Sequence, residues 1–487
     1  MNLQKLKQAN LSSISMDNAL NNVVLPSYNR KDIGIGIVHL GLGAFHRSHQ
    51  AIYTEQLLNK LGGGNWGISG VSFSNEALQA QLQQQDCLYT SAILDVVDSF
   101  QVVGALKEVL VVKTQLADVL TRMAASTTKI VSLTVTEKGY CLNGDGLLDE
   151  TLPSIVRDLA HNDKPSSAIG LLVAALNLRF QSGIESFNVI ACDNLPNNGE
   201  KLKSAVLQFA EKISLKLAKW INKNTHFPNT MVDCITPKTE QLTIDIVQNN
   251  LDIVDNAPVQ RELFSQWVIE ECDFERPAWE NVGVIFTNNV EVFENAKLRV
   301  LNGLHSALAY IGSLRGYETV FEAISDQDIK AFLLNLVDNE IIPTLEPVKG
   351  LDIFHYSRDI IARFENPKIK HLLRQIAYDG SIKIPVRTLA PLAENISNER
   401  SIASLSVVVA AWLHFIRDSV SKHIEIHDPR ASELAIAIKQ YDETGALDMK
   451  KIMGIPGLIP EVLCANKLFI DSIAIAYSSD NPLFNHP

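Results

Sequence analysis

The N-terminal part of the chain alternates between short apolar runs and helical patterns. The apolar runs Ile33–Leu40, "NWGISGVSF" and "KIVSLTVTEKGY" (Lys129–Tyr140) predict strands, whereas Gln50–Leu61 predicts a helix. The segment "SAIGLLVAALNLRFQSG" predicts an amphipathic helix that ends at Gly183, and "FNVIACDNLPNNGEKLKSAVLQFAEKI" predicts a strand, a polar loop and a helix. Strands that alternate with helices indicate a mostly parallel, doubly wound sheet.

From about Val290 onward the pattern becomes helical. The segments "NAKLRVLNGLHSALAYIGSL", "DQDIKAFLLNLVDNEI", "SIASLSVVVAAWLHFIRDSV" and "ASELAIAIKQY" all have the period of a helix. We therefore predict an α/β domain over residues 1–285 and a mostly α-helical C-terminal domain over residues 286–487. Ligands of such proteins sit at the carboxyl ends of the strands, often where two domains meet.

Composition narrows the class of protein. Hydrophobic residues make up 46% and charged residues 20% of the 487 residues, which is typical of a globular protein with an ample core. The net charge of −12 argues against a nucleic-acid partner, and no long apolar run predicts a membrane span. The N-terminus lacks the apolar core of a signal peptide, and the six cysteines contain no C-x-x-C pair. We therefore expect reduced thiols and a cytoplasmic protein.

A glycine pair follows the first predicted strand, in "IVHLGLGAFHRSHQA". Gly41 and Gly43 lie between a strand and a helix, where a dinucleotide pyrophosphate is cradled in a Rossmann-like sheet. His46, however, occupies the position of the third glycine, so the pattern fits either a cofactor site or an ordinary strand-to-helix corner. Arg47 favours the cofactor site if it faces a ligand. Glu76, after the next strand, either reads a ribose hydroxyl or simply begins a helix.

A second candidate is the segment "ENAKLRVLNGLHSAL". On an α-helix Lys297, Asn302 and His305 share one broad face with Leu298 and Leu301. A lysine on a partly apolar surface has a lowered pKa and acts as an acid or base near neutral pH. The alternative is a surface lysine at a helix edge.

The loop "ACDNLPNNGE" is a third candidate. It follows a predicted strand, and Asn194 could donate a hydrogen bond to a substrate oxygen, although Asn, Pro and Gly also form simple turns. No Tyr-x-x-x-Lys pair, H-E-x-x-H motif or Cys–His cluster is present, so a dehydrogenase of this sequence needs neither a catalytic tyrosine nor a metal. A nucleotide-binding sensor on the same scaffold is the competing class.

Several long motifs together resemble the mannitol dehydrogenase family of polyol-specific long-chain dehydrogenases. They are "IVHLGLGAFHRSHQA", "SLTVTEKGY", "CDNLPNNG", "FPNTMVDCITP", "QWVIE", "KLRVLNGLHSALAYIG" and "DGSIKIP", in the family's order. The family's cofactor turn is similar to G-x-G-x-F-H-R, with a histidine in place of the third glycine. The resemblance implies a metal-independent interconversion of a ketose, or ketose acid, and its alcohol with NAD(H).

The resemblance also assigns roles to individual residues. Lys297 matches the catalytic acid–base lysine, and Asn194 and Asn302 match the asparagines that hold the reacting oxygen. His305 matches a supporting histidine, and Glu294 a glutamate that gates proton exit. The remaining assignments are cofactor contacts at Gly41, Gly43, Phe45, His46, Arg47, Glu76 and Asp233, and substrate contacts at Lys138, Gln375 and Lys383. Ala77 and Cys234 depart from the family's pattern.

Different motifs of the chain resemble different branches of the family. "TEKGY", "KLR" and Gln375 are similar to members that reduce D-fructuronate to D-mannonate, whereas "FPNTMVDCITP" and "RPAWENVGVIFTNNV" are more similar to members that interconvert fructose and mannitol. Lys138 follows a strand, and its ammonium group could pair with the carboxylate of a uronate, or be a solvated loop lysine. We expect fructuronate reduction, with mannitol 2-dehydrogenase activity as the alternative. The expected partner is a small sugar acid or polyol, without nucleic acid or membrane, and the chain is expected to be a monomer or a weak homo-oligomer.

Overall fold

The computed structural model describes residues 4–14, 22–95, 97–368, 371–444, 449–478 and 482–484. It forms two compact units, Met1–Glu291 (unit 1) and Val292–Pro487 (unit 2). The strand Ile285–Thr287 pairs with Gln266–Glu270 of unit 1, so the structural break falls shortly after the predicted boundary at residue 285. Parts of the N-terminal leader, residues 1–3 and 15–21, lie outside the described residues.

Unit 1 is built around a five-stranded sheet in which every pairing is parallel. We label its strands β1 (Ile35–Leu40), β2 (Gly67–Ser72), β3 (Leu106–Val111), β4 (Ile130–Leu133) and β5 (Asn188–Ala191). Their order is β3-β2-β1-β4-β5. The order reverses direction between β1 and β4, and a doubly wound sheet binds its ligand at that switch point.

Both faces of this sheet are covered. Val38 and Leu40 of β1 pack in one core, whereas Ile37 packs in a second core on the opposite face. Side chains alternate between the two faces of a strand, so two cores require a strand that is apolar at nearly every position. This is the doubly wound α/β architecture that the alternating pattern predicted.

The helices of unit 1 up to Ala168–Ser182 connect these strands, and those from Asn198 onward follow β5. The α-helices are Ala44–Ser48, Gln50–Leu61, Glu76–Gln83, Val112–Ala124, Pro153–Ala160, Ala168–Ser182, Asn198–Ile213, Leu215–Asn224 and Gln241–Leu251. Short 3-10 helices of the chain are Gln8–Ser13, Arg30–Asp32, Glu137–Tyr140, Trp279–Val282, Ile342–Thr344 and Pro482–Phe484.

One helix prediction needs correction. Ala168–Ser182 begins after the Ser167 cap and ends at Gly183, whose φ is +67°, as the sequence predicts. The helix is not amphipathic, however, because residues 168–176 are all buried without interruption. A helix that is apolar all round is enclosed on several sides by the protein.

Three smaller sheets accompany the central one and were not predicted as sheets. The four-stranded sheet contains Asn22–Val24, Ser99–Val103, Tyr89–Ile93 and Val259–Arg261. The three-stranded sheet contains Thr230–Asp233, Gln266–Glu270 and Ile285–Thr287, and the two-stranded sheet contains Gln4–Lys5 and Ile253–Val254.

In the described part of unit 2 the regular elements are helices, joined by loops and two isolated β-bridges. Its α-helices, the first of which starts at the boundary, are Val290–Ala296, Gly303–Leu314, Val320–Ser325, Gln327–Leu336, Ile353–Phe364, Leu373–Ile376, Gly380–Ile384, Ala390–Ser397, Ala403–Ser421, Ala431–Thr444, Met449–Met453, Glu461–Cys464 and Lys467–Ser478. π-helical turns occupy Lys297–Asn302, Val337–Ile341 and Pro385–Leu389. The helix Ala403–Ser421 is long and apolar enough to cross a membrane, but most of it is buried in the unit, as a core helix would be.

Candidate active site

The turn after β1 requires glycine at its first position. Gly41 has a φ of +93°, and a Cβ atom there would lie only 2.1 Å from the carbonyl oxygen of Thr134. Gly43 differs, because its φ is −117° and a Cβ atom added there would have the Gly41 oxygen as its nearest neighbour, at 3.7 Å. Open space above Gly43 fits the close approach of a cofactor's phosphates to the backbone. The residues present therefore fit a dinucleotide.

A buried histidine that the sequence patterns did not indicate supports this turn. The ring nitrogens of His39 lie 2.9 Å from the hydroxyls of Ser132 and Thr134, and Thr134 donates its proton to the Gly41 carbonyl at 3.0 Å. Thr134 therefore accepts from His39 Nε2, which fixes the tautomer of the ring. Burial lowers the pKa of His39 to about 3, so the ring is neutral.

His46 replaces the third glycine by stacking. Its ring lies 3.4 Å from the His39 ring, at an interplanar angle of 13°, and is buried. Burial, followed by the neighbouring His39 and Arg47, lowers the pKa of His46 well below its usual value. Parallel stacking of the two rings lets the helix pack closely on the strand, as a glycine at this position normally does.

The side chains of Arg47 and Phe45 also contact other parts of unit 1. The Arg47 guanidinium donates to the carbonyls of Ala257 at 2.6 Å and Gly43 at 3.2 Å, and it is buried. The expectation that Arg47 faces a ligand is thus corrected: its charge is held among carbonyls beneath the turn. Phe45 is half-buried and stacks on His49, whose Nε2 lies 2.9 Å from the Gln266 carbonyl.

A cavity of about 730 Å³ in unit 1 lies near β4 and β5, whereas a smaller one of about 370 Å³ adjoins the glycine turn. The smaller cavity is lined by Gly41, Phe73, Thr134, Val135, Thr136, Lys138, Gly139, Cys141, Ser154, Ser167 and Ala168. The structure thus brings Lys138, which is exposed, to the same cavity as the cofactor turn.

Asp193 links the loops that follow β4 and β5, a role that no sequence pattern indicated. Its carboxylate accepts from the Thr136 N–H at 2.7 Å and from the Tyr140 hydroxyl at 3.1 Å. Thr136 has a φ of +64° and a ψ of 168°, a conformation almost restricted to glycine, so the carboxylate holds a strained turn. Asn194 follows directly and is exposed at the carboxyl end of β5.

The remaining predicted cofactor residues occupy different environments. Glu76 is the first residue of the helix Glu76–Gln83, largely exposed, with Lys113 3.5 Å away. It follows β2, where a carboxylate that reads a ribose would lie. Asp233 is buried at the end of the strand Thr230–Asp233, opposite Gln266 in the pairing.

In unit 2 the helix that carries Lys297 is not a regular α-helix. A π-helical turn spans Lys297–Asn302 and leads into the α-helix Gly303–Leu314. A π-helix bonds residue i to residue i+5, so Lys297 and Asn302 are one turn apart, closer in angle than an α-helix would place them. The sequence spacing therefore identified the segment but not its geometry. Glu294 lies in the preceding helix, Val290–Ala296.

His305 follows in the regular α-helix and is buried. Its ring stacks on Phe364 at 4.4 Å and lies 5.2 Å from the His371 ring at 82°, and its Nε2 atom has no hydrogen-bond partner among the described residues. Burial, followed by His371 and nearby cations, lowers the pKa of His305 well below its usual value. A neutral imidazole with one nitrogen unused suits a contact to a substrate oxygen.

Lys383 and Arg387 lie on consecutive helical segments near this histidine. Lys383 donates to the Ile376 carbonyl at 3.1 Å, and Arg387 donates to the Asn302 carbonyl at 3.4 Å and to the Ser306 hydroxyl at 3.1 Å. Burial, then Arg387, lowers the pKa of Lys383. Gln375, by contrast, is exposed on the helix Leu373–Ile376.

Unit 1 thus carries a dinucleotide-binding turn, and unit 2 carries a lysine, an amide and a neutral histidine on one helical segment. These are the features of a nicotinamide-dependent dehydrogenase. No group of three His, Cys, Asp or Glu side chains suited to a metal occurs within the described ranges.

The chain belongs to the mannitol dehydrogenase family. Residues 35–281 match the mannitol dehydrogenase Rossmann domain, and residues 289–479 match the mannitol dehydrogenase C-terminal domain. The predicted family, fold class, oxidoreductase class and NAD cofactor are therefore confirmed.

Individual relatives are similar over nearly their whole length. The chain is 38% identical to D-mannonate oxidoreductase of Escherichia coli, covering 93% of this chain and 95% of the relative. It is 37% identical to mannitol 2-dehydrogenase of Emericella nidulans, covering 97% and 96%. Pseudomonas fluorescens mannitol 2-dehydrogenase, solved as a ternary complex with NAD and D-mannitol, superposes with a TM-score of 0.82 at 34% identity over 99% of this chain and 98% of that one.

Proposed function

We propose that this chain reduces D-fructuronate to D-mannonate with NADH, using Lys297 as its general acid. The alternative is the interconversion of fructose and mannitol. Similar identity to a D-mannonate oxidoreductase and to a mannitol 2-dehydrogenase supports both substrates, so the choice between them depends on the charges of the site.

The proposed chemistry is assigned to a small set of side chains. NADH supplies the hydride that reaches the ketone carbon. Asn302 donates a hydrogen bond to the carbonyl oxygen as its negative charge grows, and the Lys297 ammonium transfers a proton to that oxygen. The resemblance to the family assigns the role of a second donor to Asn194. His305, neutral because it is buried, helps orient the same oxygen through a ring nitrogen. Glu294, in the helix just before Lys297, passes a proton back to the lysine.

The observation that carries the choice of fructuronate is the environment of Lys383. This half-buried ammonium donates to a neutral carbonyl, and among the residues that the structure describes it forms no ion pair. A cation removed from water is costly unless a negative group joins it. The carboxylate of a uronate provides that group, whereas fructose and mannitol do not.

Glu76 supports the preference for NAD over NADP. Its exposed carboxylate lies at the end of β2 and would repel the additional phosphate of NADP. Because Lys113 lies 3.5 Å away, part of this repulsion is offset.

A panel of substrates tests the proposal. Initial rates with fructuronate, fructose and tagaturonate are measured with NADH and with NADPH by absorbance of the reduced cofactor. We expect kcat/KM for fructuronate with NADH to exceed that for fructose by about tenfold or more, the size of one charge-assisted hydrogen bond. A higher kcat/KM for fructose would assign the chain to mannitol 2-dehydrogenase activity.

The proposal includes a cytoplasmic location and a low oligomeric state. Six free cysteines, with burial raising the pKa of those at positions 87, 141, 192 and 272, fit a reducing cytoplasm. We propose a monomer or a weak homo-oligomer, which light scattering across a range of concentrations would distinguish from a stable assembly.

A further inference from the structure

Three arginines elsewhere in unit 2 have acidic partners. Arg299 lies 2.7 Å from Glu394, Arg358 lies 2.8 Å from Asp338, and the buried Arg315 lies 3.0 Å from Asp326. At these three positions a carboxylate neutralises a cation that the protein partly or wholly removes from water.

Arg387 and Lys383 depart from this rule. Their hydrogen bonds run to the Asn302, Ser306 and Ile376 oxygens, none of which is charged. Across the described part of unit 2, no ion pair includes either cation. Asp379 and Asp428 act on Lys383 only from beyond hydrogen-bond range and raise its pKa, while burial and Arg387 lower it. Two cations that are four residues apart therefore share a region with too little negative charge.

A histidine close to these cations has a buried nitrogen atom without a hydrogen-bond partner among the described residues. The histidine is His371, and the atom is its Nδ1. Its ring meets the His305 ring edge-on, with 5.2 Å between centroids. Burial, followed by the positive charge of Lys383, lowers the pKa of His371, so the ring is neutral and has one N–H to donate.

The dimensions of a keto-uronate fit this arrangement. Four carbon–carbon bonds separate its ketone carbon from its carboxyl carbon, which is on the order of 5 Å in an extended chain. A ketone oxygen at His305 therefore places the carboxylate about as far away as the ring of His371.

We propose that His371 and Arg387, together with Lys383, form an acid-recognition cluster that receives the carboxylate of the substrate. This inference rests on the proposed reduction of fructuronate, and it extends that proposal to two residues to which the sequence assigned no role. His371 donates a neutral hydrogen bond, and the two cations supply charge. Arg387 also fixes the carbonyl of Asn302, so it couples carboxylate binding to the segment that holds the reacting oxygen.

The test compares kcat/KM for fructuronate with kcat/KM for fructose in His371→Phe and Arg387→Gln. Phe keeps an aromatic edge against His305 but cannot donate, and Gln keeps a donor without the charge. We expect the fructuronate-to-fructose ratio to fall by about tenfold in each variant, since His371→Phe removes a hydrogen bond to the carboxylate and Arg387→Gln removes the positive charge of a second donor. Arg358→Gln is the matched control: it removes a cation of unit 2 that already has an acidic partner, Asp338, and the ratio should not change.

A binding measurement complements the rates. D-mannonate and mannitol are titrated by calorimetry into the NADH-loaded protein, where no turnover occurs. The variants should lose affinity for mannonate and bind NADH as the wild type does, and His371→Asn, which retains a donor, should recover part of the loss. If the wild type prefers fructuronate but both variants keep that ratio, the cluster is refuted and the proposed function stands. If the wild type shows no preference for fructuronate, the proposed function fails and the cluster fails with it.

Discussion

Two lysines were predicted from the sequence to contact the substrate, and the structure gives them different surroundings. Lys138 of unit 1 is exposed and lines the cavity at the cofactor turn, whereas Lys383 of unit 2 is half-buried beside a second cation. Water and salt screen an exposed charge, so its contribution to recognition is small. A cation that is partly removed from water contributes more when a carboxylate arrives. We therefore expect Lys383, more than Lys138, to select a sugar acid.

The largest effect should come from Lys297→Ala, which separates the chemistry from substrate recognition. Loss of a general acid should lower kcat by about 10²–10⁴-fold, with equal losses on fructuronate and fructose. NADH should still bind, as measured by calorimetry. A variant that retained more than a tenth of the wild-type turnover would remove Lys297 from the mechanism.

Gly43→Val tests the proposed cofactor turn, which adjoins the cavity that Lys138 lines. A Cβ at Gly43 meets only the Gly41 oxygen at 3.7 Å, so the variant should fold while its side chain fills the space of the phosphates. We expect NADH affinity to fall by roughly tenfold or more, the value of one charge-assisted hydrogen bond. Unchanged affinity in a folded variant would show that the cofactor is not bound at this turn.

Gly41→Ala is the matched comparison for that turn. Here the added Cβ would lie 2.1 Å from the Thr134 carbonyl oxygen, and the residue would keep a φ of +93°. We therefore expect the variant to be less stable, with a lower melting temperature, whatever its affinity for NADH.

The comparison of the two lysines is tested by Lys383→Met. This change keeps an unbranched side chain that is one heavy atom shorter, and it removes the charge. We expect kcat/KM for fructuronate to fall by about ten- to a hundredfold, and by much less for fructose. Equal losses of kcat/KM for fructuronate and fructose would mean that Lys383 has a structural role in its helix and does not bind the carboxylate.

Lys138→Gly should have the smallest effect and completes the comparison. An exposed ion pair contributes about 0–1 kcal/mol, so the fructuronate-to-fructose ratio should change by no more than about fivefold, and less in added salt. A loss as large as that of Lys383→Met would reverse our ranking and make Lys138 the main carboxylate contact. Weaker NADH binding in this variant would instead place the ammonium at the cofactor.

The sequence by itself indicated four of the five strands of the central sheet, the helical character of unit 2, the glycine turn and the segment that carries Lys297, Asn302 and His305. Those features follow from local patterns: apolar periodicity, a residue type that alone permits a φ of +93°, and short spacings along one helix. Only the tertiary structure decided what depends on residues distant in the chain. It brought Ser132 and Thr134 to His39, Asp193 to Thr136, and Arg387 to Asn302. It also shows a π-helical turn in the segment that carries Lys297, and it holds the Arg47 side chain against the carbonyls of Gly43 and Ala257. Burial and charge depend on neighbours that the fold supplies, and a spacing along the sequence does not contain them.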